Sequence, residues 1–377
     1  MKQFSLDPFI PAPISEQQSV ETRHHQGIPS IEILPSGRLF AVWYGGELPG
    51  EGPGNYVVLT TSTDYGHSWQ EIQVVAPPPS VADSERAFDS TLWLDPAGRL
   101  WWFWGQCVSR KLWEVFDGRN GVWAAVCDAP DTDSPVWSTP RRIAEGLMMN
   151  KPELLSDGGW AVPTSLMAVY PEKISNEYRS MAYSNLSITR NNGEKFELII
   201  GPDIPDRSFD ENIIIERKDG SWWMLVRTHY GIGQAFSRDH GKSWYDVGDS
   251  GLGGPCSRFA LRRLKSGRLL LVNHKSPLML PGEKCNGGLR DKLTAWLSDD
   301  DGKSWYGRMM IDERSGVSYP DFTEGNDGFI YCIYDHERIA HGEILLARFT
   351  EKDVTAGSFV TPGGFTRGII SAIPIKK

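Results

Sequence analysis

The chain lacks most of the features that would assign it quickly. No run approaches the ~20 apolar residues that a membrane-spanning helix needs, so no such helix is expected. Cysteine is scarce: five residues, at 107, 127, 256, 285 and 332, an odd number with no CxxC pair. That pattern argues against a disulfide framework and against a zinc site, and predicts buried reduced thiols. Positive charge is in deficit, with a net charge of −9. Phosphate backbones need a lysine and arginine surplus, so nucleic acid is not an expected partner. An anionic small molecule remains compatible, because a few local arginines outweigh a distant acidic surface. The opening residues, Met-Lys-Gln-Phe-Ser-Leu-Asp-Pro, carry no apolar stretch of signal-peptide length, and the expected location is cytoplasmic. Helical periodicity is scarce. No His, Cys and carboxylate spacing points to a metal, and nothing calls for a cofactor.

What the chain has in abundance is aromatic residues, 11% of the total and including 15 tryptophans, and one repeated octamer. The octamer reads Ser62-Thr-Asp64-Tyr-Gly66-His-Ser68-Trp69, then Ser237-Arg-Asp239-His-Gly241-Lys-Ser243-Trp244, then Ser298-Asp-Asp300-Asp-Gly302-Lys-Ser304-Trp305. A degenerate copy runs from Thr189 through Asn191 and Gly193 to Lys195-Phe196, and Trp137 marks a turn that has lost the motif. The aspartate caps backbone N–H groups, the glycine takes positive φ, and the tryptophan packs under the turn. Strand-like runs flank each copy, so each reads as a hairpin. A second turn recurs at Gly37, Gly98, Gly158, Gly220, Gly267 and Gly328, each before a β-rich stretch such as Leu100-Trp-Trp-Phe-Trp104. Six such turns, with aromatic anchors at blade-like intervals, predict an all-β, six-bladed β-propeller. Its blades are four-stranded antiparallel sheets, and it forms a single domain over residues 1–377.

The octamers resemble the Asp boxes of the sialidase (neuraminidase) superfamily, also called BNR repeats. The resemblance covers nearly the whole chain. It implies a site built from three arginines that hold a substrate carboxylate, a tyrosine nucleophile activated by a glutamate, and an aspartate acid/base. On that resemblance the nucleophile is Tyr319, in Val-Ser-Tyr319-Pro-Asp321, and its base is Glu211, in Asp-Glu211-Asn. Arg227 and Arg290 fall at two of the arginine positions, where guanidinium forks suit a carboxylate as lysine does not. Asp89, in Phe88-Asp89-Ser90, matches a segment that contacts sugar substituents.

The chain also departs from the family. Gly27 stands at the first arginine position, in His24-His25-Gln26-Gly27-Ile28-Pro29, and no carboxylate follows the next strand at the matching spot. Glu47 or Glu51, on the Gly/Pro-rich loop after Trp43-Tyr44-Gly45-Gly46, would supply the acid. His24 and His25 would line that side, with Trp43 and Tyr44 as an aromatic wall suited to sugar C–H faces. The expected function is an exo-acting glycoside hydrolase on a terminal acidic sugar, ulosonic or uronic, distinct from a standard sialidase. The expected partner is therefore a carbohydrate. Two alternatives stand beside it: a uronate lyase using Tyr319 with His24 or His25, and a non-catalytic glycan-binding propeller.

Overall fold

The structure is a computed structural model that describes residues 6–274 and 289–374, so Cys285 lies outside it. Six antiparallel sheets follow one another around a ring. Their first, innermost strands are His25–Ile33, Glu85–Leu94, Glu153–Leu154, Arg207–Glu216, Ala260–Arg263 and Val317–Glu324. Each of these opens a four-stranded meander, here called blades 1 to 6. The short strand Ala12–Pro13 adds a fifth edge to blade 1 by pairing with Gln70–Val75. One six-residue α-helix, Glu351–Ala356, interrupts blade 6.

The glycine turns found in the sequence lie between the first and second strands of all six blades. Each has a left-handed glycine, with φ from 78° at Gly328 to 95° at Gly37. The Asp boxes close the hairpins between third and fourth strands in blades 1, 4 and 5. In blade 1 Asp64 accepts from the Ser68 amide at 2.9 Å and from the Ser68 hydroxyl at 2.6 Å, while Trp69 Nε1 donates to the Gly66 carbonyl at 3.1 Å. Blade 5 repeats these bonds at 2.9, 2.6 and 3.1 Å. In the degenerate copy Asn191 takes the aspartate's place and accepts from Lys195 N at 3.0 Å. Hydrogen bonds from the serine hydroxyl and amide hold the carboxyls of Asp239 and Asp300 at about 2. Both kinds of turn lie on one face of the ring, opposite the ends where the inner strands begin.

Six apolar clusters hold the ring, one between each pair of neighbouring blades. Side chains alternate along a strand, so adjacent residues serve opposite interfaces. Trp222 packs toward blade 3 and Trp223 toward blade 5, and Trp101 and Trp102 divide in the same way. This accounts for much of the tryptophan. Trp137 packs on Trp102 at 5.2 Å and donates to Gln73 of blade 1 at 2.8 Å.

No strand is exchanged between blades 6 and 1 among the described residues, so side chains, with a backbone bond from Gln26 N to the Arg338 carbonyl, close the ring. The Asp321 carboxylate accepts from Ser30 Oγ at 2.6 Å and Ile31 N at 3.1 Å. Asp335 accepts from Ile28 N at 2.8 Å, and the Gln26 amide donates to the Gly342 carbonyl at 2.6 Å. Below the mouth, buried Lys151 reaches Glu32 and Asp321, both at 3.3 Å, and Arg258 donates to Asn150 and Pro29. These groups fill the axis and give the mouth a floor. Burial opposes the Asp321 charge, but Lys151 and Arg258 hold its carboxyl below the usual range.

Removing Asp321 leaves Lys151 and two donors underpaired in a dry environment. The variant Asp321→Ala is expected to lose about 3–5 kcal/mol of unfolding free energy in urea titrations. Asp321→Asn, which keeps an acceptor, should lose clearly less.

Candidate active site

Four inner strands carry a β-bulge at the same level, near their first residues. The register shifts lie between Gly27 and Ser30, Phe88 and Thr91, Arg207 and Asn212, and Ser318 and Asp321. Each holds a non-glycine residue at positive φ: Ile28 at 58°, Asp89 at 46°, Phe209 and Asp210 at 57° and 44°, and Tyr319 at 52°. Such backbone is costly and re-aims side chains. Here it turns Tyr319, Asp89 and Glu211 toward the mouth of the ring. The blade 4 bulge is tied down by Asp210, which accepts from Arg207 at 2.8 Å and from Ser184 at 2.9 Å.

At the centre Tyr319, Glu211 and Arg227 form a triangle of buried groups. The Tyr319 hydroxyl donates to Glu211 Oε1 at 3.0 Å. Arg227 Nη1 donates to the same oxygen at 2.8 Å and to the Tyr319 oxygen at 3.1 Å. Arg227 Nε reaches Cys256 Sγ at 3.3 Å, and its guanidinium lies over the Phe209 ring at 4.8 Å. Glu211 Oε2 is buried and has no hydrogen-bond partner. Burial raises the Tyr319 pKa and the Glu211 charge adds to this, against Arg227, Arg290 and Arg338. The resting phenol is therefore neutral, beside a base.

Two more guanidiniums flank the phenol ring, Arg338 at 4.6 Å and Arg290 at 5.3 Å from its centroid. Across the mouth Glu51 lies 3.5 Å from Arg86 and 3.6 Å from Arg338. Burial works to raise the Glu51 pKa, but these two cations bring it below its ordinary value. Asp89 behaves oppositely. Burial, and then the Glu51 charge, push its pKa well above the ordinary carboxylate value, which favours its protonated form. His25 is buried against Tyr44, with ring centroids 5.5 Å apart, and its Nδ1 has no hydrogen-bond partner. Burial lowers it to about 4, with Arg338 and Arg86 adding to the effect against Glu51.

The structure thus brings together Tyr319, Glu211, Arg227, Arg290, Asp89 and His25. Other expected site residues lie elsewhere. His24 is exposed, in the bend just before the first strand of blade 1, which begins at His25. Trp43 is core, packed between blades 1 and 6 with its Nε1 donating to Gln26 at 3.0 Å. Tyr44 is fully buried below the mouth, against Phe88, and offers no face to a sugar. Glu47 is exposed on its loop. The loop folds back through an Asn55 acceptor for Gly52 N at 2.8 Å, and it is Glu51 that faces the cations. Arg86 and Arg338 were not expected from the sequence. One signal was present for Arg338: a glycine inside a strand, Gly27, marks the close approach of another group.

Residues 37–332 match the family profile described as a BNR repeat-like domain. The chain belongs to this family. It is also similar to solved structures of sialidases at low identity. A Hadza microbial sialidase has 16% identity and a TM-score of 0.63; the match covers 83% of this chain and 63% of that one, so this chain spans less than two thirds of its length. The intramolecular trans-sialidase of Ruminococcus gnavus, solved with oseltamivir carboxylate, has 13% identity and a TM-score of 0.66, over 93% of this chain and 98% of that one. The leech intramolecular trans-sialidase, solved with 2,7-anhydro-Neu5Ac, has 13% identity and a TM-score of 0.64, over 93% and 71%. No curated protein matches the sequence. These likenesses establish a sialidase-like, BNR-repeat scaffold.

The His25 shift fixes the sign of a pH effect. Its folded pKa lies below the unfolded value of about 6.5, so the stabilisation is complete above that pH and is lost as pH falls toward 4. Replacing His25 with Gln should flatten the fall in unfolding free energy between pH 7 and 4 by up to about 3 kcal/mol. Urea titrations at the two pH values check this.

Proposed function

We propose that the chain is an exo-acting glycoside hydrolase for a terminal acidic sugar, ulosonic or uronic, with Tyr319 as nucleophile. The Tyr319–Glu211–Arg227 triangle carries this reading. A neutral phenol approaches an anionic sugar without the repulsion a carboxylate would meet. As the phenol oxygen bonds to the anomeric carbon, its proton passes to Glu211, and Arg227 stabilises the charge developing on the oxygen. The glycosidic C–O bond breaks, and the leaving oxygen takes a proton from the Glu51–Asp89 pair. Two neighbouring carboxyls pushed in opposite directions suit that task. Water then attacks the anomeric carbon, giving one proton to the pair and releasing the phenolate, which recovers its proton from Glu211. Free sugar and the starting enzyme result.

Covalent trapping tests the assignment. A fluorinated acidic aryl glycoside should leave a mass adduct on the peptide containing Tyr319. The variant Glu211→Gln should turn over aryl glycosides about 10²–10⁴-fold more slowly while remaining folded. Full activity of Tyr319→Phe, with no adduct in the parent protein, would remove Tyr319 from the reaction.

One observation favours a second reading. His25 presents a neutral imidazole with an unpartnered Nδ1 across from Tyr319. In a lyase the arginines would acidify the C–H beside a uronic carboxylate, one of these two residues would take that proton, and the other would protonate the leaving oxygen. The product would be unsaturated and absorb in the near ultraviolet. A hydrolysis product does not.

A further inference from the structure

Gly27 has ordinary backbone angles, so nothing in its own conformation requires glycine. What requires it is its surroundings. A Cβ on residue 27 would lie 2.2 Å from Arg338 Cδ and 2.4 Å from Arg338 Cγ, distances that real atoms do not adopt. The Arg338 side chain fills the space that a side chain at position 27 would occupy. It enters from the opposite side of the seam, on the loop after Ile330–His336 of blade 6. Its backbone carbonyl accepts from Gln26 N at 3.1 Å, and its guanidinium lies 3.5 Å from Asp335, the carboxylate that also caps Ile28 N. The position is therefore built rather than incidental. From it the guanidinium covers the Tyr319 ring and meets Glu51.

We propose that Arg338, seated in the space Gly27 leaves open, is the residue that selects substrates bearing a carboxylate, acting with Arg290 beside the Tyr319 ring. This rests on the acidic-sugar reading above and assigns that site's charge selectivity to a residue from blade 6. In the resting protein Arg338 is shared between Asp335 and Glu51. An incoming carboxylate takes the place of Glu51 on it. Glu51, released from one of its two cations and beside a new anion, then binds a proton more readily, and in this way recognition of the carboxylate prepares the acid that cleavage needs.

The test measures binding, so it does not depend on turnover. Sodium glucuronate, sodium N-acetylneuraminate and the methyl ester of each are titrated by NMR into the full chain and into Arg338→Met, Arg338→Lys and the transposed double variant Gly27→Arg/Arg338→Gly. The parent should prefer at least one acid over its ester. Arg338→Met should lose that preference by about tenfold or more, and Arg338→Lys should keep part of it. The double variant returns a guanidinium to the same space from blade 1 and should regain most of it. If the parent prefers the acid and Arg338→Met prefers it equally, Arg338 is not the selector, although the acidic-sugar reading survives. If the parent shows no preference with either sugar, that reading fails and the role of Arg338 fails with it.

Discussion

The ring stands or falls on its seam between blades 6 and 1. Each blade is a contiguous meander, so among the described residues no shared strand closes the circle. Closure rests on two buried carboxylates of blade 6, Asp321 and Asp335, which accept hydrogen bonds from Ser30, Ile31 and Ile28 on the first strand of blade 1. Buried carboxylates without partners are expensive, so these bonds are obligatory once the apolar interfaces have formed. They also fix geometry. Asp335 orients the same loop that carries Arg338, and Asp321 lies two residues beyond Tyr319. A seam built this way places the strand of Tyr319, the opposing glycine and the arginine within one hydrogen-bonded unit.

The bulges turn that seam into a site. A regular strand would alternate its side chains between the two neighbouring blades and aim none of them at the axis. Adding a residue at positive φ breaks the alternation at one level. Four of six blades do this, and the chemistry-bearing residues lie at or beside the break: Asp89, Glu211 and Tyr319. Blades 3 and 5 instead contribute to the axis from their connections, through Lys151 and Arg258, and supply the floor. Strained backbone and the placement of these side chains are here one feature seen from two sides.

This explains what could be read from the sequence. The octamers and glycine turns are local devices, each complete within eight residues, so their spacing shows blade number and order directly. Tyr319, Glu211, Arg227 and Arg290 were legible because a family pattern places them. His25 could be named but not separated from His24, since the point where the buried strand begins is not marked in the sequence. Trp43 shows the limit of residue type alone: an indole suits a sugar face and a blade interface equally, and only the pairing of blades 1 and 6 decides. Glu47 and Glu51 are four residues apart on one loop, and which of them meets Arg86 and Arg338 leaves no mark in composition. Arg338 lies 311 residues from Gly27 in the chain. No motif spans that distance, and only the shape of the gap connects them.

The charge arrangement narrows the chemistry further than the fold does. Propellers of this kind support many functions, so the scaffold alone carries no substrate. At the mouth, however, the guanidiniums of Arg86, Arg227, Arg290 and Arg338 gather around Tyr319, Glu211 and Glu51, while burial disfavours the charge on Asp89. Four arginines thus gather at one mouth of a chain whose overall charge is −9. Concentrating arginines in an acidic protein, around a neutral tyrosine, is a poor way to stabilise a fold, because each guanidinium loses hydration there. It is a consistent way to hold an anion against a nucleophile that an anion would not repel. On the reading proposed above, the arginines would hold a negatively charged ligand, the neutral phenol would permit attack beside it, and Glu51 with Asp89 would supply the proton.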